Sequence, residues 1–186
     1  AASDVYKRQV YLLADDIFDE MVSRNVGEYR YPLGGKLYVF NKNENIGFIK
    51  GHMCSPAIAT QAEDLIAGGV KELIHVGYAG GLQPELVPGE IILTDGAFND
   101  TAVARLYGYD YDIIHSSKDL TNEIEEMITS AEILYKRGIH WTTDAGYRET
   151  WGQVMDYRDK GALCVEMEGV GLFTIANYRK CVATGI

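Results

Sequence analysis

Leu73-Ile74-His75-Val76 runs straight into Gly77-Tyr78-Ala79-Gly80-Gly81, and this junction decides the fold. Four residues of mainly apolar character are too short for a helix and suit a strand buried on both faces. The glycines behind them let the backbone turn sharply and let its N–H groups come close to a ligand. They serve a tight strand exit equally well with no ligand. Pro88-Gly89 then turns the chain into a second such run at 91–94, and further candidate strands follow at 139–143 and 163–167.

Helical patterns lie around these runs. Ser55-Pro56 reads as a helix start, because the serine oxygen can accept an orphan N–H and a first-turn proline has no donor to waste. Ile58, Ala62, Leu65 and Ile66 then share a face, and Gly68-Gly69 supplies the stop. Thr121 opens the most regular helix, with Glu123, Glu125 and Glu126 near its positive end and Lys136 and Arg137 near its negative end. Ile124, Met127, Ile128, Ala131, Leu134 and Tyr135 keep its period. A last helix runs from Glu168 to about Tyr178. Residues 37–40 and 46–50 form a hairpin around Asn41-Lys42-Asn43-Glu44-Asn45.

Strands alternating with helices predict a layered α/β fold around a largely parallel or mixed sheet, with ligands gathering where strands end. Residues 73–76, 91–94 and 163–167 are expected as buried, neighbouring strands. The 186 residues, 47% hydrophobic, suit one domain spanning 1–186, and no repeat or linker divides them. A net charge of -10 argues against a nucleic-acid partner, since a phosphate backbone wants clustered Lys and Arg. Three cysteines, Cys54, Cys164 and Cys181, with no Cys-x-x-Cys spacing, speak against a disulfide framework or a zinc cluster and for a reducing cytoplasm. No apolar run approaches the ~18 residues of a membrane helix, and the opening Ala1 to Gln9 lacks the order of a signal peptide. The chain starts without methionine and stops on the apolar 182–186, so both ends read as cuts.

Chemistry concentrates at three strand ends. The first is the glycine loop after His75. The second is Thr142-Thr143-Asp144-Ala145-Gly146-Tyr147-Arg148-Glu149-Thr150, where a ring beside two opposite charges can stack on a nucleobase or merely cap the core. The third, Val165-Glu166-Met167-Glu168-Gly169, brackets a methionine with carboxylates where a strand should still be buried, and buried acids need partners. A carboxylate suits two adjacent sugar hydroxyls, because each oxygen can accept one charge-assisted hydrogen bond. Local capping or pairing of Glu166 and Glu168 is the plainer alternative. If Glu168 starts the following helix, the dipole keeps it ionised.

Together these segments resemble the nucleoside phosphorylase and nucleosidase superfamily. The likeness runs from about Gly51 to the end and rests on Ser55-Pro56, Val76-Gly77-x-Ala79-Gly80-Gly81-Leu82, Pro88-Gly89-Glu90-Ile91-Ile92, the Thr142-Thr143-Asp144 strand end and Val165-Glu166-Met167-Glu168 followed by Leu172-Phe173. It implies a three-layer αβα domain that cleaves the N-glycosidic bond of a nucleoside, using phosphate in the phosphorylases and water in the nucleosidases. Met167 matches the residue packed on the ribose, Glu168 the one binding the 2′ and 3′ hydroxyls, and Glu166 a glutamate of the same pocket. Gly146, Tyr147, Arg148 and Glu149 match the base-holding region, and His75, Gly77 and Tyr78 the phosphate-binding one. Fixed negative groups suit the reaction, because bond breaking leaves positive charge on the sugar. No metal or organic cofactor is implied, only inorganic phosphate as co-substrate, and the resemblance implies a homo-oligomer.

The chain also departs from the pattern. The family's phosphorylases usually carry Arg at the position of His75 and Ser or Thr at that of Tyr78, and Tyr147 is not followed by the Gln-x-Arg pair that uridine phosphorylases use for uracil. The aspartate that protonates the leaving base in purine enzymes falls beyond Ile186. The leading reading is a phosphorylase that cleaves uridine or purine nucleosides with inorganic phosphate; the alternatives are a hydrolytic nucleosidase and a catalytically silent nucleoside-binding protein.

Overall fold

The computed structural model describes residues 9–30 and 37–186; all of the polar opening except Gln9 lies outside them. In chain order the elements are β1 (Gln9–Leu13), α1 (Asp15–Ser23), β2 (Gly27–Arg30), β3 (Leu37–Phe40), β4 (Ile46–Lys50), α2 (Ser55–Ala67), β5 (Glu72–Val76), β6 (Gly80–Gly81), β7 (Ile91–Asp100), α3 (Val103–Leu106), β8 (Ile113–His115), α4 (Lys118–Ser130), β9 (Tyr135–Thr143), a 3-10 turn (Gly146–Arg148), α5 (Trp151–Asp159), β10 (Cys164–Glu166), α6 (Gly169–Arg179) and β11 (Val182–Gly185).

The strands form two mixed sheets, ordered β11-β5-β1-β4-β3-β2 and β6-β10-β9-β7-β8. Within the first, β11, β5, β1 and β4 are parallel, and the hairpin of β3 and β4 with β2 adds the antiparallel edge. Within the second, β10, β9 and β7 are parallel, with β6 and β8 antiparallel at the edges. Side chains alternate across β5, so helices cover both faces. Leu73 packs with Ile58, Leu65, Leu172 and Ile175 of α2 and α6, whereas Ile74 packs with Leu120, Ile124 and Ile128 of α4. This is the α/β architecture expected from the alternating pattern.

Several expectations need correction. The three runs at 73–76, 91–94 and 163–167 are strands but not neighbours: β5 belongs to the first sheet, and β9 separates β7 from β10 in the second. Short apolar runs record burial and carry no information on pairing partners. The regular helix begins at Lys118, ahead of Thr121, and stops at Ser130, where Glu132 takes a left-handed φ of 55°. Tyr135, Lys136 and Arg137 instead open β9, paired with Ile91, Ile92 and Leu93. Leu134 is 90% exposed, so its fit to the helical period was fortuitous.

Two further details matter for the site. Ser55 does not cap α2; the cap position is Cys54, with φ 73° and ψ 147°, a region that side-chain-bearing residues rarely enter. Where α2 meets α6 the backbones touch. A Cβ on Gly171 would lie 2.5 Å from the Ser55 carbonyl oxygen, so only glycine permits this approach.

Candidate active site at the strand ends

β9 and β10 run parallel, and their carboxyl ends bring Thr142 beside Glu166. Glu166 is the best-partnered acid among the strand ends. Its Oε2 accepts from the backbone N–H groups of Glu168 (2.8 Å) and Gly169 (2.7 Å), the first amides of α6. Its Oε1 accepts from the Thr142 hydroxyl, and His140 Nε2 lies 2.9 Å away, an ion-pair approach turned off the ideal hydrogen-bond line. Burial alone would raise this carboxyl. The close approach of His140, the hydrogen bond from Thr142 and the more distant His75 outweigh that and hold it down to about 2.

The helix dipole expected to serve Glu168 is therefore spent on Glu166. Glu168 occupies the cap position of α6 without a side-chain capping bond. Its Oε1 accepts from Cys54 N (2.7 Å) and its Oε2 from Met167 N (3.3 Å). Burial, and secondarily the charge of Glu166, pushes its carboxyl above the ordinary range against those two N–H groups. Glu168 thus has acceptor capacity to spare, since a carboxylate offers about four lone pairs. Glu166, with both oxygens doubly engaged, has little left for a sugar hydroxyl.

The segment is stitched to the start of α2. The buried Ser55 donates from its hydroxyl to the Met167 carbonyl at 3.0 Å, next to the Cys54 bond to Glu168. Gly146 and Glu149 lie close by: a Cβ on Gly146 would stand 3.6 Å from Met167 Sδ and 3.5 Å from Glu149 Oε1. Tyr147 is fully solvent-exposed and Arg148 is exposed too, so neither packs into this corner.

His75, Gly77 and Tyr78 sit apart from Met167 and Glu168. They line a cavity of about 630 Å³ together with Thr94, His140 and Glu166, and among its described lining residues there is no Lys or Arg. His75 borders this space yet lies deep among protein atoms, and burial pushes its imidazole below the ordinary value, more than Glu166 pulls it back. Tyr78 points its hydroxyl at Asp16 Oδ2, 2.6 Å away. That carboxylate belongs to the first turn of α1, which is tied to the loop by Ala14 N donating to the Val76 carbonyl at 2.9 Å. An anion here would meet a neutral imidazole and a helix start already occupied by Asp15 and Asp16.

A sequence profile of the phosphorylase superfamily matches residues 13–186. The chain belongs to the phosphorylase superfamily. A DeoD-type purine nucleoside phosphorylase from Exiguobacterium sibiricum is 29% identical over 177 residues, covering 94% of this chain and 73% of that protein. Proteins of the same description from Bacillus cytotoxicus and Caldanaerobacter subterraneus are 32% and 33% identical, over 65% and 70% of the chain. The chain spans 52% and 60% of the lengths of those two. The structure of uridine phosphorylase from Vibrio fischeri superposes with a TM-score of 0.85 at 21% identity, over 96% of this chain and 77% of that one. The phosphorylase superfamily fold is thereby established for this chain. Among the described residues, no helix is long and apolar enough to cross a membrane.

Residues that sequence reasoning missed are His140, Thr94 and Cys54. The signal for His140 was present: one titratable residue inside the apolar run 139–143. Nothing local marked Cys54, whose importance lies in its backbone angle.

Proposed function

We propose that this member of the phosphorylase superfamily binds a uridine or purine nucleoside with the ribose at Glu168 and Met167 and serves cleavage of its N-glycosidic bond. The observation that carries the reading is Glu168: a half-buried carboxylate at a strand-to-helix junction, held by Cys54 N and still able to accept from two hydroxyls. Sugar hydroxyls donating to it would favour its ionised form, and the charge would support the cationic sugar as the bond breaks. Glu166 supports the site rather than touching the sugar. Gly146 and Glu149 border the base, and Tyr147 and Arg148 reach a ligand only by moving from their exposed positions.

Water and phosphate are the two candidate acceptors. Phosphorolysis, with inorganic phosphate bound at His75, Gly77 and Tyr78, is favoured by the names of the relatives. The site itself favours water, because the buried His75 is a poor cation and Asp16 already holds Tyr78. In hydrolysis the C1′–N bond pair leaves with the base, the water oxygen bonds to C1′, and its proton passes to the base. The family resemblance also carries a homo-oligomer and a cytoplasmic setting into this proposal.

The test is a nucleoside panel incubated with the full-length protein, with and without phosphate. Free ribose released at equal rates in both is the expected result. Ribose 1-phosphate formed only with phosphate would establish phosphorolysis instead, and calorimetric binding with no turnover would select the silent binder.

A further inference from the structure

His140 is the one buried histidine in β9, 5% exposed, and its two ring nitrogens reach two different strands. Nδ1 stands 2.7 Å from Thr94 Oγ1 in β7, and Nε2 stands 2.9 Å from Glu166 Oε1 in β10. A carboxylate only accepts, so Nε2 is the nitrogen that carries hydrogen toward Glu166. The Thr94 hydroxyl has a single proton, shared between Nδ1 and the Gly96 carbonyl 2.9 Å away; when it goes to Gly96, Nδ1 carries hydrogen and donates to Thr94 Oγ1, and the ring is the imidazolium that pairs with Glu166. Across the same carboxylate, Oε2 takes the amides of Glu168 and Gly169. The contacts therefore form a continuous relay from β7 through β9 and β10 to the first turn of α6.

The packing is built for this ring. A Cβ on Gly169 would collide with His140 Nε2 and Cε1 and crowd Glu166 Oε1 at 3.2 Å, so the bare glycine is the space the imidazole occupies. Thr142 closes the fourth side: its hydroxyl donates to Glu166 Oε1 and accepts from Val170 N at 3.2 Å. Remove the imidazole and the carboxylate gains room to rotate away from the amides. Glu168 hangs on those amides by its own backbone N–H.

We propose that His140 is a positioning residue for Glu168, acting through Glu166: it pins that carboxylate so that the carboxylate fixes the backbone from which the sugar-binding side chain projects. The functional half of this inference rests on the nucleoside reading above, whereas the structural half does not.

The test compares wild type, H140L and H140Q in the full chain. Amide hydrogen exchange at Glu168 and Gly169 should quicken by roughly tenfold or more in H140L, with the amides of β1 and β5 unchanged, because only the local opening is eased. H140Q, which can still donate to Glu166, should recover most of the protection. Affinity for a ribonucleoside should fall in parallel, while affinity for its 2′,3′-dideoxy analogue, which never used Glu168, should stay within about twofold. If H140L does not fold, T94V removes the Nδ1 partner, together with the two bonds of that hydroxyl to the Gly96 backbone, and should give a smaller change of the same sign at the same two amides, whatever loosening it causes around Gly96. Unchanged exchange at Glu168 and Gly169 in whichever of these folds would overturn the relay. A wild type that does not distinguish the ribonucleoside from the dideoxy analogue would instead sink the nucleoside reading, and the exchange result would still decide the role of His140.

Discussion

Replacing Glu166 with Gln keeps the shape of the side chain and removes its charge. One carbonyl oxygen can then serve either the amides of Glu168 and Gly169 or the pair formed by Thr142 and His140, and an NH2 group must face the other pair. About two charge-assisted bonds are lost or weakened, which at ~1.5–3 kcal/mol each, less partial rearrangement, comes to about 3 kcal/mol. The carboxyl gives a second measure. A drop from the ordinary 4.5 to about 2 corresponds to stability on the order of 3 kcal/mol. A depressed carboxyl contributes fully above its unfolded-state value and loses that contribution as pH falls toward its folded-state value. The gap between wild type and Glu166→Gln, read from urea unfolding, should therefore be about 3 kcal/mol at neutral pH and should shrink as pH falls from 4.5 toward 2. A gap below ~1 kcal/mol at neutral pH, or one that does not change on acidification, would refute the claim that Glu166 is a paired structural charge.

Other outcomes follow from the same contacts. Gly171→Ala should cost roughly 2–3 kcal/mol in unfolding free energy, because its Cβ would press on the backbone of Ser55 rather than on a flexible side chain; an unchanged midpoint would contradict the close approach of α2 and α6. Cys54→Gly should stabilise by about 1 kcal/mol by relieving a backbone at φ 73° while keeping the N–H to Glu168. A Cys54→Gly variant less stable than Cys54→Ala would show that the backbone there is unstrained. His75→Arg should introduce or strengthen dependence on phosphate in steady-state kinetics, since a permanent bidentate donor replaces a neutral imidazole; an unaltered response would remove His75 from any anion site.

The fold was legible where burial is encoded locally. Leu73, Ile74 and Leu93 form apolar runs that become buried strands, and Ile58, Ala62 and Leu65 keep a helical face that becomes core. Strand partners were not legible, because nothing in 163–167 says that β9 lies beside it rather than β5. α5 was missed for a related reason: it buries no residue, so it has no apolar period, although its Thr150 and Gln153 form a capping box. At the site, the unusual pair of acids was visible, but the division of labour was not. Which acid receives the amides of α6 depends on the turn at 166–169, and the sequence equally allowed Glu168 to take them. His140 looked like one more residue in an apolar run because its two partners, Thr94 and Glu166, are 46 and 26 positions away in sequence, and only the pairing of β9 with β7 and β10 assembles them.

The measurement closest to the central claim is the effect of Glu168→Gln on cleavage of a nucleoside by the full-length protein. The change keeps the size of the side chain, turns one acceptor into a donor and removes the charge that supports the cationic sugar. A loss of roughly 2–4 kcal/mol in kcat/KM, or about 30- to 900-fold, is expected, with little change in stability. A 2′,3′-dideoxynucleoside should lose the same interaction from the substrate side, so the two defects should not add. A Glu168→Gln protein whose kcat/KM stays within about threefold of wild type, a difference under ~1 kcal/mol, would contradict the assignment of the ribose site to this residue.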